Sequence, residues 1–313
     1  MDNQNSVEQE LKSLREENAR LKREMIALKD HYSIDYDTLR HEHQELSDSV
    51  NYAFRIQQAI QPPLSVVDEL LADNFVLYLP KDVVSGDFYF IDQASEHVVL
   101  AAVDCTGHGI PGALLSVIGF NYLDLAVAER KMTEPGKILS FLDEGVNRKL
   151  RQTANQSGVK DGMDLSLVSL NYLPNGQASV QYAGAYNSIY FITKKEQSFN
   201  YPVKATSESH DLYEIGADKF PIGVNLDGVT DTYTNHEVIL DKGDTVYLFS
   251  DGYADQFGGP KGKKMKYKTL REILLEIQHM DMRDQRTFLE KRYRDWQGNE
   301  EQLDDVLVIG FKI

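Results

Sequence analysis

Four aspartates in this 313-residue chain share one local setting, a place beside a short apolar run that reads as a strand, with glycine close by in the first three cases. They are Asp87 in Ser85-Gly86-Asp87-Phe88-Tyr89, Asp104 in Val103-Asp104-Cys105-Thr106-Gly107-His108-Gly109, Asp251 in Phe249-Ser250-Asp251-Gly252, and Asp304 in Leu303-Asp304-Asp305-Val306. Carboxylates at the ends of several strands can converge on one point, which no single helix or loop arranges. Gathered there, they repel and raise one another's pKa unless a cation neutralises them. With one Cys and no His/Cys cluster in the sequence, the oxygen donors select Mg²⁺, Mn²⁺ or Ca²⁺ over zinc. Two such ions beside a phosphate activate water and stabilise the attacking and leaving oxygens in line. Hydrolysis of a phosphate ester is the reaction this equipment suits. Each site also has a plainer reading. An Asp-Gly pair is commonly a turn, as Asp241-Lys242-Gly243-Asp244 is read here, and Asp304-Asp305 can simply begin a strand. The combination carries the argument, together with the glycines at 107 and 109 that flank His108.

The elements that must position these residues follow from hydrophobic periodicity. Strands are predicted over Phe75 to Leu79, Asp87 to Ile91 and His97 to Val103, and helices over Gly112 to Arg130 and Pro135 to Arg151. Leu165 to Tyr172, the turn Pro174-Asn175-Gly176, and Gln177 to Ala183 read as a hairpin. Glu237 to Leu240 and Thr245 to Phe249, joined by the turn at 241–244, read as a second hairpin. Two helices are predicted from about Tyr267 to Tyr293, and the short apolar run Val306 to Ile309 reads as a central strand. Strands come early and late with helices grouped between, which predicts an α+β fold of antiparallel sheets covered by helices.

The N-terminal part has a different texture. Residues 6–48 contain no Gly or Pro, and Val7, Leu11, Leu14, Leu21, Met25 and Leu28 recur as a heptad seam. With Leu14, Leu21 and Leu28 at d, the a positions are Leu11, Asn18, Met25, Tyr32, Leu39 and Leu46, and Asp35 and Glu42 break the d row. The single Asn in an apolar stripe is a register device of two-stranded coils, so a parallel homodimer through residues 7–46 is the first reading. A long solvated helix folded back on the domain is the other. Tyr52 to Gln61 continues the helical pattern until Pro62-Pro63 stops it. The predicted division is a coiled coil at 1–48, a linker or regulatory helix at 49–63, and a catalytic domain at 64–313.

Composition sets the outer limits. Acidic residues outnumber basic ones 49 to 33, for a net charge of −16, which argues against nucleic acid and anionic membrane as partners. The lone Cys105 fits a reducing compartment, and no basic-then-apolar leader or run of about 18 apolar residues is seen, so a cytoplasmic protein without a membrane span is expected.

These motifs, with Ala183-Gly184 and Phe220-Pro221-Ile222-Gly223, resemble over residues 51–313 the SpoIIE/RsbU-type branch of the metal-dependent protein phosphatases related to protein phosphatase 2C. The resemblance implies an α-β-β-α sandwich of two antiparallel sheets flanked by helices, here preceded by the long coiled-coil helix. It implies a dimetal site at one end, filled by two Mn²⁺ or Mg²⁺ ions. Asp104 matches the carboxylate that bridges both metals, Cys105 contributes its backbone carbonyl, Asp251 and Asp304 match ligands of the second metal, and Asp87 matches the acidic residue that binds the first metal's waters. It further implies a phosphoserine or phosphothreonine protein as substrate, typically a STAS-type anti-sigma-factor antagonist. With no sensor domain visible in the sequence, any signal is expected to arrive through an upstream sensor protein, or else the enzyme is constitutively active.

The pattern also departs from wider relatives. Those carry a His two residues after the bridging Asp, whereas His108 stands four after Asp104, and it reads either as a general acid or as a structural His between two glycines. There is no obvious equivalent of the phosphate-binding Arg that those relatives carry before the first motif, and Lys81 reads as that group or as a solvated surface Lys. Asp161 and Asp164 read as strand-capping residues or as contacts of a further metal. A catalytically idle scaffold that binds a phosphoprotein and dimerises through its coil is the rival function. A haloacid dehalogenase-type enzyme needs an Asp-x-Asp-x-Thr motif that is absent, and nothing explains the nucleotide recognition a cyclase needs.

Overall fold

The computed structural model describes residues 2–150, 161–224 and 232–313, the side chains of 2–9, 27 and 30–35 excepted. It divides into two units, 1–52 and 53–313. Helix α1 (Asp2–Ile60) accounts for the first and supplies the opening turns of the second. The helix is the one that the absence of Gly and Pro predicts. Among the described residues no coiled coil is formed, and Leu11, Leu14, Leu21, Met25, Leu28, Leu39 and Leu46 are all exposed. The side chains of Val7, Tyr32 and Asp35 lie outside the described residues, as does Arg151, the expected end of a later helix.

In the second unit α2 (Leu64–Leu70) leads into β1 (Asn74–Leu79), β2 (Phe88–Ala94) and β3 (His97–Cys105). Helices α3 (Gly109–Asp124), extended by a π-helical turn at Leu125–Glu129, and α4 (Pro135–Leu150) follow. Then come β4 (Met163–Tyr172), β5 (Ala178–Ala185), β6 (Ile189–Lys194), β7 (Val203–Thr206), β8 (His210–Ile215), β9 (His236–Leu240) and β10 (Thr245–Phe249). The short α5 (Gly252–Asp255), the two-residue strands β11 (Phe257–Gly258) and β12 (Lys263–Lys264), α6 (Lys266–Glu276), α7 (Met282–Gln297) and β13 (Val306–Lys312) complete the unit.

The strands make two large antiparallel sheets, β1-β13-β10-β6-β8-β7 and β2-β3-β4-β5-β9. Leu100, Val168 and Val180 of one meet Phe191, Leu248 and Leu307 of the other in a dry layer between them. The outer face of the five-stranded sheet packs against α3 and α4 through Val103, Leu123 and Leu142, and that of the six-stranded sheet against α6 and α7 through Tyr247, Leu274 and Leu289. The expected helix-sheet-sheet-helix order is therefore the observed one.

Two expectations need correction. β9 and β10 are not a hairpin: β9 pairs with β5, whereas β10 lies between β13 and β6 in the other sheet. All five residues of β10 are buried, which demands a central position, while β9 has exposed residues among buried ones and fits an edge. The turn between them, where Asp244 Oδ2 accepts from Asp241 N at 2.9 Å, carries the chain across the sandwich. Second, the stretch Gly109–Glu129 is long and apolar enough to cross a membrane, with a mean hydropathy of 1.5. Its Leu115, Leu123, Ala126 and Val127 are buried in the core layer beneath β2 and β3, which accounts for that composition within the folded domain.

Candidate metal centre

Loops at one end of the sandwich bring the candidate aspartates into one another's fields. Asp104, next to last in β3, pairs across the ladder with Asp164 of β4. Burial, then the charges of Asp87, Asp251, Asp304 and Asp164, hold its carboxyl well above the usual range. Asp87 stands just ahead of β2 and is 2 % exposed. It too is pushed well above the ordinary carboxylate value, chiefly by burial and against the hydrogen bond from Ser250. Asp251 follows β10, and its carboxyl is raised to about 6 by burial and by Asp304 and Asp255.

Backbone-to-backbone packing makes this convergence possible. A Cβ on Gly86 would fall 2.6 Å from Gly107 O and 3.1 Å from Cys105 O, and one on Gly112 would fall 2.1 Å from Gly107 O. The loops at 85–87 and 105–109 and the start of α3 therefore stack without side chains between them. Gly252 plays the same part on the far side, where a Cβ would lie 2.0 Å from Asp305 O.

The neighbours Asp304 and Asp305 do different things. Asp305 is buried and accepts hydrogen bonds from Lys81 N at 2.7 Å and Gly86 N at 2.8 Å, so it anchors the loop before β2. Asp304 is half-buried, its side chain accepts only from Asp305 N among the described hydrogen bonds, and its carboxyl is raised by burial. Its free oxygen is thus the one available to a ligand.

Sequence reasoning missed three supports. Ser250 Oγ donates to Asp87 Oδ2 at 2.5 Å and accepts from Leu307 N at 3.0 Å, fixing Asp87 to both β10 and β13. Asp305 is the second. The third is Gln57 near the end of α1, whose Nε2 donates to Ser85 O at 2.7 Å and to Ser116 Oγ at 3.0 Å while its Oε1 accepts from Ser85 N at 3.1 Å. Nothing in the sequence distinguishes Gln57 from Gln58, because only the helix phase decides which one turns inward.

Cys105 is buried among apolar side chains, and burial with the charge of Asp104 pushes its thiol well up, so the sulfur stays protonated. Only its backbone is open to a role at this site. His108 sits half-exposed with Nδ1 2.7 Å from the Asp82 carboxylate, between glycines whose φ values are +83° and +67°. Lys81 is half-buried, and both its charge and that of His108 lower the carboxyl of Asp304 against its other shifts. Asp164 is inside β4 rather than capping it, with its carboxyl raised to about 6, while Asp161 precedes the strand. The Phe220-Pro221-Ile222-Gly223 motif is structural here, Ile222 exchanging backbone hydrogen bonds with Met163.

Among the described residues, no group of three or more Asp, Glu, His or Cys side chains is drawn together tightly enough to hold a metal ion. The donor chemistry nevertheless fits Mg²⁺ or Mn²⁺. Both retain waters and take few protein carboxylates, and a set of mutually repelling, desolvated carboxyls is what such a cation neutralises.

The model of the family described as stage II sporulation protein E (SpoIIE) matches residues 94–313. The chain belongs to the SpoIIE family. The SpoIIE match takes in Asp104, Cys105, Asp251 and Asp304, while Asp87 lies just ahead of it. Phosphoserine phosphatase RsbU of Bacillus subtilis (strain 168) is 24% identical over 222 residues, which are 71% of this chain and 58% of RsbU. The chain thus spans under two thirds of that relative. The SiaA-PP2C domain of Pseudomonas aeruginosa superposes with a TM-score of 0.71 at 27% identity, covering 87% of this chain and 98% of that one. The phosphatase domain of SpoIIE from Bacillus subtilis, solved with a fragment of its regulatory domain, is similar at a TM-score of 0.53 and 18% identity over 77% of this chain and 63% of that one, a likeness of fold.

Proposed function

We propose that this SpoIIE-family chain is a Mn²⁺- or Mg²⁺-dependent phosphatase that hydrolyses phosphoserine or phosphothreonine on a regulatory protein in the cytoplasm. What supports this reading is that the charges of Asp251 and Asp304 act on Asp87 and Asp104, and that of Asp304 on Asp251, at one end of the sandwich, with all four carboxyls raised chiefly by burial. The name of the relative RsbU, a phosphoserine phosphatase, supports the substrate class. A STAS-type antagonist is the proposed protein substrate.

In this reading Asp104, Asp251 and Asp304, with Asp87 and the Cys105 carbonyl, would hold the metal ions. When bound, the ions activate a water and stabilise charge on the phosphoryl oxygens. The chain's own residues orient the parts. Ser250 fixes the rotamer of Asp87, Asp305 holds Gly86 and Lys81 in place, and Asp82 engages His108 Nδ1, leaving Nε2 free to give a proton to the departing serine oxygen.

The proposed organisation keeps 1–48 as a coiled coil, 49–63 as a regulatory helix and 64–313 as the phosphatase domain. Two copies pair through 7–46, and an upstream sensor protein acts on that coil. Pairing sets the helix that carries Gln57, and Gln57 sets Ser85 and hence Gly86-Asp87. The test is turnover of p-nitrophenyl phosphate with and without Mn²⁺ by the full chain, by Asp104→Asn and Asp251→Asn, and by a chain lacking residues 1–48. Metal-dependent turnover that falls on the order of 10³-fold in both variants is expected. Metal binding without turnover in any of these proteins would instead favour the idle scaffold.

A further inference from the structure

Beside the acidic end, over β6, β8 and β10 of the six-stranded sheet, lies a depression of about 190 Å³ bordered by Tyr186, Asn187, Tyr190, Glu214, Lys219 and Arg271. Phe249 and Tyr267 form its remaining wall, with rings 5.9 Å apart. Phe249 comes two residues before Asp251, and the Tyr267 phenol is pushed up by burial and by the charges of Asp251, Asp255 and Asp104. The depression and the candidate metal centre therefore share a wall.

Its charge balance is unusual for a protein of net charge −16. Its one carboxylate, Glu214, is matched by Lys204 at 3.0 Å. Arg271 and Lys219 have no carboxylate partner among the described residues. Arg271 Nη1 donates to Tyr190 Oη at 3.4 Å, while its Nε is buried with no hydrogen-bond partner. Asn187 is 8 % exposed, and its Nδ2 is likewise buried and unpartnered. A buried donor left unpaired is costly, so these two, one of them on Arg271 itself, with Lys219 alongside, mark a place built to receive an acceptor.

The rim carries a further cost. Tyr186 is 44 % exposed and adopts a φ of +57°, a left-handed backbone that is strained for a non-glycine residue. Beyond Arg271 a second depression of about 440 Å³ continues along β7 and α6 past Lys268 and Thr206. One acidic side chain fits the first depression, and the polypeptide that bears it can run on into the second.

We propose that this depression is a specificity subsite for an Asp or Glu side chain flanking the phosphorylated residue of the protein substrate, with Arg271 and Lys219 as its cationic partners. The proposal rests on the phosphatase reading, which it deepens from a phosphoprotein to a phosphoprotein with acidic flanks. Arg271 and Lys219 are specificity residues, distinct from the carboxylates that serve the reaction itself.

Two fluorescent phosphoserine peptides that differ only in carrying glutamates or glutamines beside the phosphoserine test it, through anisotropy titrations on the full chain. The wild type should bind the glutamate peptide about tenfold more tightly. Arg271→Gln and Lys219→Gln should each lose most of that preference and leave p-nitrophenyl phosphate turnover unchanged, and Lys219→Glu should reverse it. Lys219 is exposed, so its variants fold whatever becomes of Arg271. Equal affinity of the wild type for both peptides, or a preference that survives in the double variant, would overturn the subsite. Loss of p-nitrophenyl phosphate turnover with the peptide preference intact would sink the phosphatase reading and leave the subsite standing.

Discussion

In the first unit Leu11, Leu14, Leu21 and Leu28 stand in water, and in the second Asp87 stands out of it and Asp104 partly so. Both arrangements are unfavourable for a lone chain, and for opposite reasons. Exposed Leu forgoes roughly 1.5–3 kcal/mol of burial per side chain, whereas buried carboxyls lose hydration and repel one another. Each deficit names the chemistry that relieves it, a second apolar seam for the helix and divalent cations for the carboxyls. The sandwich interior shows neither deficit, because its two sheets satisfy each other within one chain.

The strongest challenge to this comparison lies at Asp305, a buried carboxylate that donors within the chain already satisfy. Asp305→Ala orphans the N–H groups of Lys81 and Gly86 and should lower unfolding stability by about 3 kcal/mol, less what is regained by removing its repulsion of Asp87. Asp304→Ala should change it by under about 1 kcal/mol. Urea denaturation without metal checks both, and equal losses would show that the two acids are not divided between anchor and ligand.

The seam is tested next. Leu21→Glu should weaken self-association of the full chain by roughly 100-fold in sedimentation equilibrium while the melting of the second unit stays in place. A monomeric wild type would remove the proposed pairing altogether.

A smaller effect follows from acidity. Asp164 and Asp251 have folded-state carboxyls raised to about 6, so their contribution to stability is full below about pH 4 and is lost as pH rises through about 6, the reverse of an ordinary ion-paired carboxylate. Metal-free protein should therefore melt roughly 2–4 °C lower at pH 7 than at pH 5, and Mn²⁺ should close that gap by circular dichroism. A gap unaffected by Mn²⁺ would place the repulsion elsewhere, as at the turn residue Asp244, whose carboxyl is also raised to about 6.

How far the sequence was legible follows the same division. Period-2 runs and the glycines beside Asp87, Asp104 and Asp251 marked the strands and the acidic end, because burial alternation and close backbone approach leave local traces. The partnering of β9 and β10 left none, since a tight turn reads alike whether it closes a hairpin or crosses a sandwich. Gln57, Ser250 and Asp305 were also silent, because their work is done on residues 28, 163 and 219 positions away. The heptad pattern named a helix and its apolar face and could not name what covers it.

Calorimetric titration of Mn²⁺ into the metal-free full chain at neutral pH tests the central claim most directly. The account predicts saturable binding that Asp104→Asn removes and Asp304→Asn weakens, with Asp164→Asn retaining it. No binding by the wild type, or identical isotherms for wild type and Asp104→Asn, would contradict the assignment of these carboxylates to a metal centre.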